Sequence, residues 1–258
     1  MIFESHAHYE DESYNEDRDR ILGHLSDYNI ETVINVGSSM NTSEECLKLA
    51  ESYPNVYAAV GVHPSEISGL REDSLRILEE MAENPKVAAI GEIGLDYHWD
   101  KEEEVRNQQK VWFCRQLLLA KKVQLPVIIH SREAAADTLQ LMKQNHGDEI
   151  KGVIHCYSYS PEIALDYLKM GYYIGVGGVV TFKNARHLKE TVQSIPMERI
   201  LLETDCPYMA PEPHRGERNS SLYLPLIAEK IAELKGCCVE EVIEITKENA
   251  RRLFTRVN

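Results

Sequence analysis

The sequence has no apolar run approaching the roughly 18–20 residues that a membrane-spanning helix requires, so none of its hydrophobic segments reads as a span. Its first residues, MIFESHAHYEDE, lack the basic and then apolar stretches of a secretory leader, and a cytoplasmic location is expected. No CxxC pair occurs: Cys46, Cys114, Cys156, Cys206, Cys237 and Cys238 are scattered or adjacent, which removes the thiolate zinc ribbon and leaves reduced thiols as the reading. Positive charge is scarce, with 28 Lys and Arg against 42 Asp and Glu and a net charge of −14. That excludes a general basic coat for nucleic acid but leaves a local basic groove open. Internal repeats, low-complexity tracts and linkers are also missing, so residues 1–258 are expected to form one domain.

What is present is an architecture. Eight short strand-like runs, IFES, TVINVG, VYAAVGV, VAAIGEI, PVIIH, GVIH, YYIGVGG and RILLETD, end near residues 5, 36, 61, 92, 130, 155, 176 and 205. Segments of helical period separate them. Thr42 and Glu45 suggest a capping box before CLKLAESY. Ser160–Pro161 suits a helix start, Ile163, Tyr167 and Met170 mark one face, and Gly171 can end it. Leu75, Leu78 and Met81 mark a helix over 72–82, and residues 102–124 form the longest candidate. Two further helical patterns follow the last strand, on Leu224, Ile227, Ile231 and Leu234 and then on Val239, Val242, Ile243, Leu253 and Phe254. Strand then helix, eight times in about 250 residues, predicts an α/β fold of the (β/α)8 TIM-barrel type. An open doubly wound sheet shares the βαβ unit but would gather its polar residues at one switch point. Here they stand at nearly every strand end.

Those ends carry His6 and His8, His63, Glu92, His130, His155 and Asp205. Glu92 poses the problem most sharply, because it lies inside VAAIGEIGLDY, where an ionised carboxylate is costly unless cations or donors meet it. Each residue alone has a bland explanation, such as a hydrogen-bonded core histidine or a Glu92–Arg132 ion pair. In a barrel, however, the C-terminal strand ends converge on one mouth. Imidazoles and carboxylates gathered there are the donor set of a divalent metal. Four imidazoles (His6, His8, His130, His155) with Glu92 and Asp205 exceed the needs of one open catalytic ion, so two divalent ions sharing Glu92 are expected.

The chain resembles the TatD family of metal-dependent hydrolases, of the amidohydrolase superfamily. SHAHYED, GVHP, GEIGLDY, VIIHSREAAADTL, GVIHCYS and LLETDCPYMAPEPHRGERN match family segments in family order over essentially the whole chain. The resemblance implies that His6, His8, Glu92, His130, His155 and Asp205 are metal ligands, with Mg, Mn or Zn as the two ions, and that His63 lies close to the site. It implies a deoxyribonuclease that hydrolyses phosphodiester bonds, often from the 3′ end, with single-stranded DNA or DNA ends as its partner. Two departures stand out: Glu4 occupies a position commonly Asp, with a possible shift in contacts to the histidines, and Ser220–Ser221 replace Glu-Pro, which touches the rim of the substrate loop.

In the chemistry so implied, Asp205 orients the attacking water or takes its proton, and His63 donates to a non-bridging phosphate oxygen. Arg132, Arg215 and Arg218 are candidate phosphate contacts, and Tyr208 and Trp99 candidate base-stacking surfaces. The same centre suits carbonyl attack. The alternatives are therefore hydrolysis of another ester or an amide, such as the acyl ester of a mischarged tRNA or a small amidohydrolase substrate, and a binding module with a structural metal.

Overall fold

The computed structural model describes residues 1–257. Its eight strands are β1 (Ile2–Ala7), β2 (Ile30–Val36), β3 (Val56–Val60), β4 (Val87–Asp96), β5 (Val127–Arg132), β6 (Gly152–Ile154), β7 (Tyr173–Val176) and β8 (Ile200–Leu202). The helices are α1 (Arg18–Leu22), α2 (Met40–Ser52), α3 (Glu72–Ala82), α4 (Glu103–Val123), α5 (Ala135–Gln144), α6 (Pro161–Lys169), α7 (Arg186–Ser194), α8 (Leu224–Lys235) and α9 (Val239–Leu253). All neighbouring strands pair in parallel, in chain order. The sheet closes on itself where Ala7 bridges Cys206, with the Asp205 N–H donating to His6 O at 2.9 Å and the His8 N–H to Cys206 O at 2.8 Å. This is the (β/α)8 barrel that the strand–helix rhythm predicts.

The strand period of two decides which side chains reach the mouth. Val33, Val56, Val127, Ile154, Ile174 and Ile200 pack outward with helix residues such as Leu78, Leu117 and Ile227. Their neighbours Ile34, Tyr57, Ile128, Val153, Tyr173 and Leu201 form a separate inner group, entered from below by Phe254, whose ring stacks on Phe3 at 5.9 Å. Two residues on from Ile128, Val153 and Leu201 the inner face continues as His130, His155 and Glu203. The barrel interior is thus apolar below and polar at its C-terminal mouth.

Two local readings change. The capping box of α2 is Ser39 with Thr42, not Thr42 with Glu45: the Ser39 hydroxyl accepts from the Thr42 N–H at 3.1 Å and Thr42 Oγ1 accepts from the Ser39 N–H at 2.8 Å. The helix therefore starts a turn earlier than the pattern suggested. The eighth strand ends at Leu202, and Asp205 lies beyond it in a left-handed conformation with φ 57°. Ser160 does stand at the N-cap position of α6, without a side-chain capping bond, with Pro161 in the first turn, and Gly171 follows the helix end at φ 89°.

Candidate metal centre

Glu92 is 4% exposed, and imidazoles surround it. Its Oε1 lies 2.8 Å from His130 Nδ1 and 2.7 Å from His155 Nε2. Its Oε2 lies 3.5 Å from His6 Nε2 and 3.9 Å from His8 Nε2. Asp205 Oδ1 completes the second side, 3.7 Å from His6 Nε2 and 3.4 Å from His8 Nε2. One carboxylate therefore divides the histidines into two pairs, one pair to each oxygen. The Glu92–Arg132 ion pair does not form: the Arg132 guanidinium lies over the Trp99 ring instead, 5.6 Å from its centroid.

The other nitrogen of each ring shows which one is free to coordinate. His8 Nδ1 sits 2.7 Å from the carbonyl oxygen of Val36, which can only accept, so Nδ1 carries the proton and Nε2 the lone pair. His130 is the reverse. Its Nε2 meets Asp96 Oδ2 at 3.0 Å, which leaves Nδ1 toward Glu92. In His63, Nδ1 accepts the backbone N–H of Ser65 at 3.2 Å, so Nε2 bears the proton and points it toward Glu92 Oε1, 3.8 Å away. A ligand triad of His63, Glu92 and His130 fits on distance, while the Ser65 N–H on Nδ1 favours His63 as a donor to the cluster.

Electrostatics agree. Burial would raise the Glu92 carboxyl, yet His155, His63 and His130 hold it well below the usual carboxylate range. Burial likewise opposes ionisation of Asp205, but the hydrogen bond from His8 and the charge of His155 keep it low. Burial disfavours charge on His8 and His155, while Asp205 and Glu10 hold His8 well above its ordinary value, and Glu92 lifts His155 to about 9. Burial and neighbouring imidazoles push His6 down to about 4 and His63 to about 3. Without added cations the cluster thus keeps its carboxylates ionised only by borrowing protons onto some rings. His6 and His8 bring their Nε2 atoms within 3.1 Å of each other, close enough for one ring's N–H to donate to the other or for both lone pairs to meet one cation. The donor set fits divalent cations held by His6, His8, Glu92, His130, His155 and Asp205.

Supporting carboxylates escaped the sequence reading. Asp96 holds His130 and accepts from the His98 N–H at 2.9 Å. Glu10 Oε1 lies 3.3 Å from His8 Nδ1, and its Oε2 accepts from Asn35 Nδ2 at 2.8 Å. Glu203, fully buried, accepts the Cys156 N–H. The signal was present: Asp96 and Glu203, like Glu92, interrupt apolar runs at inner-face positions. Glu4 reaches away from the rings, accepting from Thr204 N and Oγ1 at 2.8 and 2.6 Å, and meets His6 only at its backbone N–H, 3.2 Å. Ser220 and Ser221 are buried against the Tyr9 hydroxyl, at 3.4 and 2.9 Å, rather than at the rim.

The cluster forms the floor of an open cavity of about 1410 Å³, whose walls include Trp99, Arg132, Phe182 and Tyr208. Tyr208 is more than half exposed, with its ring 6.2 Å from that of His8. Arg215 stands behind the wall, over Phe182 at 4.5 Å. Arg218 is committed elsewhere, forked onto Asp17 at 2.8 and 2.7 Å. No helix among the described residues is long and apolar enough to cross a membrane.

The profile of the family described as TatD related DNase matches residues 3–255. An uncharacterized metal-dependent hydrolase of Bacillus subtilis, YabD, is 42% identical over 258 residues and all of both chains. A 3′-5′ ssDNA/RNA exonuclease, TatD, of Rahnella is 31% identical over 259 residues, 98% of each chain. Among solved structures, YJJV of Escherichia coli, a TatD homologue, superposes with a TM-score of 0.92 at 29% identity over 98% of each chain.

Proposed function

Because the chain belongs to the TatD-related DNase family and is a metal-dependent hydrolase, we propose that it hydrolyses phosphodiester bonds at the 3′ ends of single-stranded DNA. The observation that carries this reading is the division of imidazoles between the two oxygens of Glu92 at the floor of an open cavity. His6, His8 and Asp205 would hold one divalent ion and His130 and His155 a second, with Glu92 within reach of both groups of imidazoles. When bound, such ions lower the pKa of a water and offset charge on phosphoryl oxygens. The remaining steps belong to the chain. Asp205 accepts the proton of the attacking water at a carboxylate oxygen. His63 donates its Nε2–H to a non-bridging oxygen as charge develops. Arg132 offers a guanidinium fork to the next phosphate, and Trp99 and Tyr208, both exposed at the cavity, stack on bases. Arg215, stacked over the cavity-lining Phe182, is a further phosphate contact in this reading.

The Rahnella relative's name supports a nucleic-acid substrate and a 3′-to-5′ direction. The test is one panel: chelator-stripped protein with Mg²⁺, Mn²⁺, Zn²⁺ or EDTA, offered end-labelled single-stranded DNA, RNA, acylated tRNA and small esters. Stepwise shortening from the 3′ end with a metal, and none with EDTA, is the expected result. Ester or acyl-tRNA turnover with intact DNA would transfer the site to carbonyl chemistry.

A further inference from the structure

Among the described residues, six buried side-chain atoms have no hydrogen-bonding partner, and three of them are His6 Nδ1, His155 Nδ1 and Glu203 Oε2. They are neighbours. A ring nitrogen of each histidine and a carboxylate oxygen of Glu203 lie within 4.8 Å of one another. The two rings stack at 3.9 Å, inclined by 13°, and both turn Nε2 toward Glu92, so both Nδ1 atoms face the other way, into the barrel. Glu203 stands on the inner face one step below Asp205. Its Oε1 takes the Cys156 N–H and is the oxygen that lies toward His155 Nδ1, while Oε2 has no partner of its own. Gly175 is what makes the space: a Cβ there would overlap the Glu203 carboxylate.

A third cation is the wrong occupant. If each Nε2 gives its lone pair to the metal centre, each Nδ1 must carry its proton and present a positive edge. Two N–H donors and one carboxylate oxygen remain, with His155 Nδ1 3.9 Å from Glu203 Oε1, beyond direct hydrogen-bond reach. That is the set of partners one enclosed water takes, since such waters make about three hydrogen bonds.

We propose that Glu203 is a positioning residue: through one enclosed water it accepts the Nδ1–H of both His6 and His155, and so fixes both Nε2 lone pairs toward Glu92. The inference rests on the metal-centre reading above. It makes one carboxylate on the eighth strand's end responsible for a histidine in each half of the centre, so its loss weakens both halves together.

The test uses histidine labelled with ¹⁵N in the zinc-loaded protein, where long-range ¹⁵N–¹H correlations identify which ring nitrogen holds the proton. Expected are protected Nδ1–H signals for His6 and His155, with His8, whose Nδ1 donates to Val36, as an internal control. In Glu203→Gln both signals shift or vanish while that of His8 stays. Co²⁺ affinity, read by its visible absorption, falls about 10–100-fold at both sites. Nε2-protonated His6 or His155 in the wild type overturns the proposal, and so does Glu203→Gln with unchanged signals and affinity. Should that variant fail to fold, the wild-type spectrum alone decides. Intact zinc binding and Nδ1–H signals in a protein that leaves DNA uncut would overturn the nuclease reading and leave this one standing. A wild type that binds no metal removes both.

Discussion

At the residue scale, the decisive information lies in the partner of the second ring nitrogen. Sequence spacing brought His63 to one mouth with the four histidine ligand candidates, and the family resemblance, not the spacing, set it apart from them, because a histidine's letter carries no tautomer. The Ser65 N–H on Nδ1 makes that separation. It leads to an expected outcome: His63→Ala lowers kcat by about 10²-fold, the lower end for loss of a positioned proton donor, while metal content by elemental analysis stays at the wild-type ratio. An equal loss of metal and turnover would return His63 to the ligand set. The supporting acids Asp96 and Glu203 were missed for a related reason. A carboxylate interrupts an apolar run not only at Glu92 but again four residues later and two residues before Asp205, and the letters alone do not tell a supporting acid from a solvated one.

At the scale of elements, period and punctuation carried the barrel. Short apolar runs gave the strands, and the 3.6 period gave α3, α4, α8 and α9 within a residue or two of their ends. What escaped was backbone at the mouth. Glu133, Cys156 and Asp205 follow their strands with φ of 54°, 44° and 57°, a region that sequence ordinarily marks with Gly or Asn. Such residues cost about 1–3 kcal/mol each and persist because surrounding contacts hold them, so no local pattern announces them. Gly94 is the readable exception. At φ 150° it pairs with His130 across β4 and β5, and a Cβ there would overlap the His130 carbonyl oxygen. Gly94→Ala should therefore lower stability by about 2–4 kcal/mol, within the range of severe single-site effects, and weaken Co²⁺ binding by moving His130. A denaturant midpoint and Co²⁺ titration matching the wild type would mean that the two strands part without cost.

At the scale of the whole molecule, the proposed nuclease activity requires a chain of net charge −14 to hold a polyanion. Its long-range field is repulsive, so attraction must come from the few cations that face the cavity and are not already engaged. Arg18 lines the cavity but donates to the backbone oxygens of Tyr9, Glu10 and Asp11. Arg218 is forked onto Asp17. Arg132 lines the cavity two residues after ligand candidate His130 and rests its guanidinium on Trp99, leaving its N–H fork available. Binding of single-stranded DNA should accordingly show a shallow salt dependence, since each neutralised phosphate contributes about 0.7 to the slope of log K against log salt. Removing one contact is then a visible fraction of the whole. Arg132→Ala should raise KM for a labelled oligonucleotide about 10-fold and flatten the slope by about 0.7, with zinc content unchanged. Arg132→Lys should keep the slope, because the charge remains, but recover only part of the KM, because the fork is lost. If Arg132→Ala cleaves with wild-type KM and slope, the phosphates run along another wall, and Arg215 behind Phe182 becomes the residue to change.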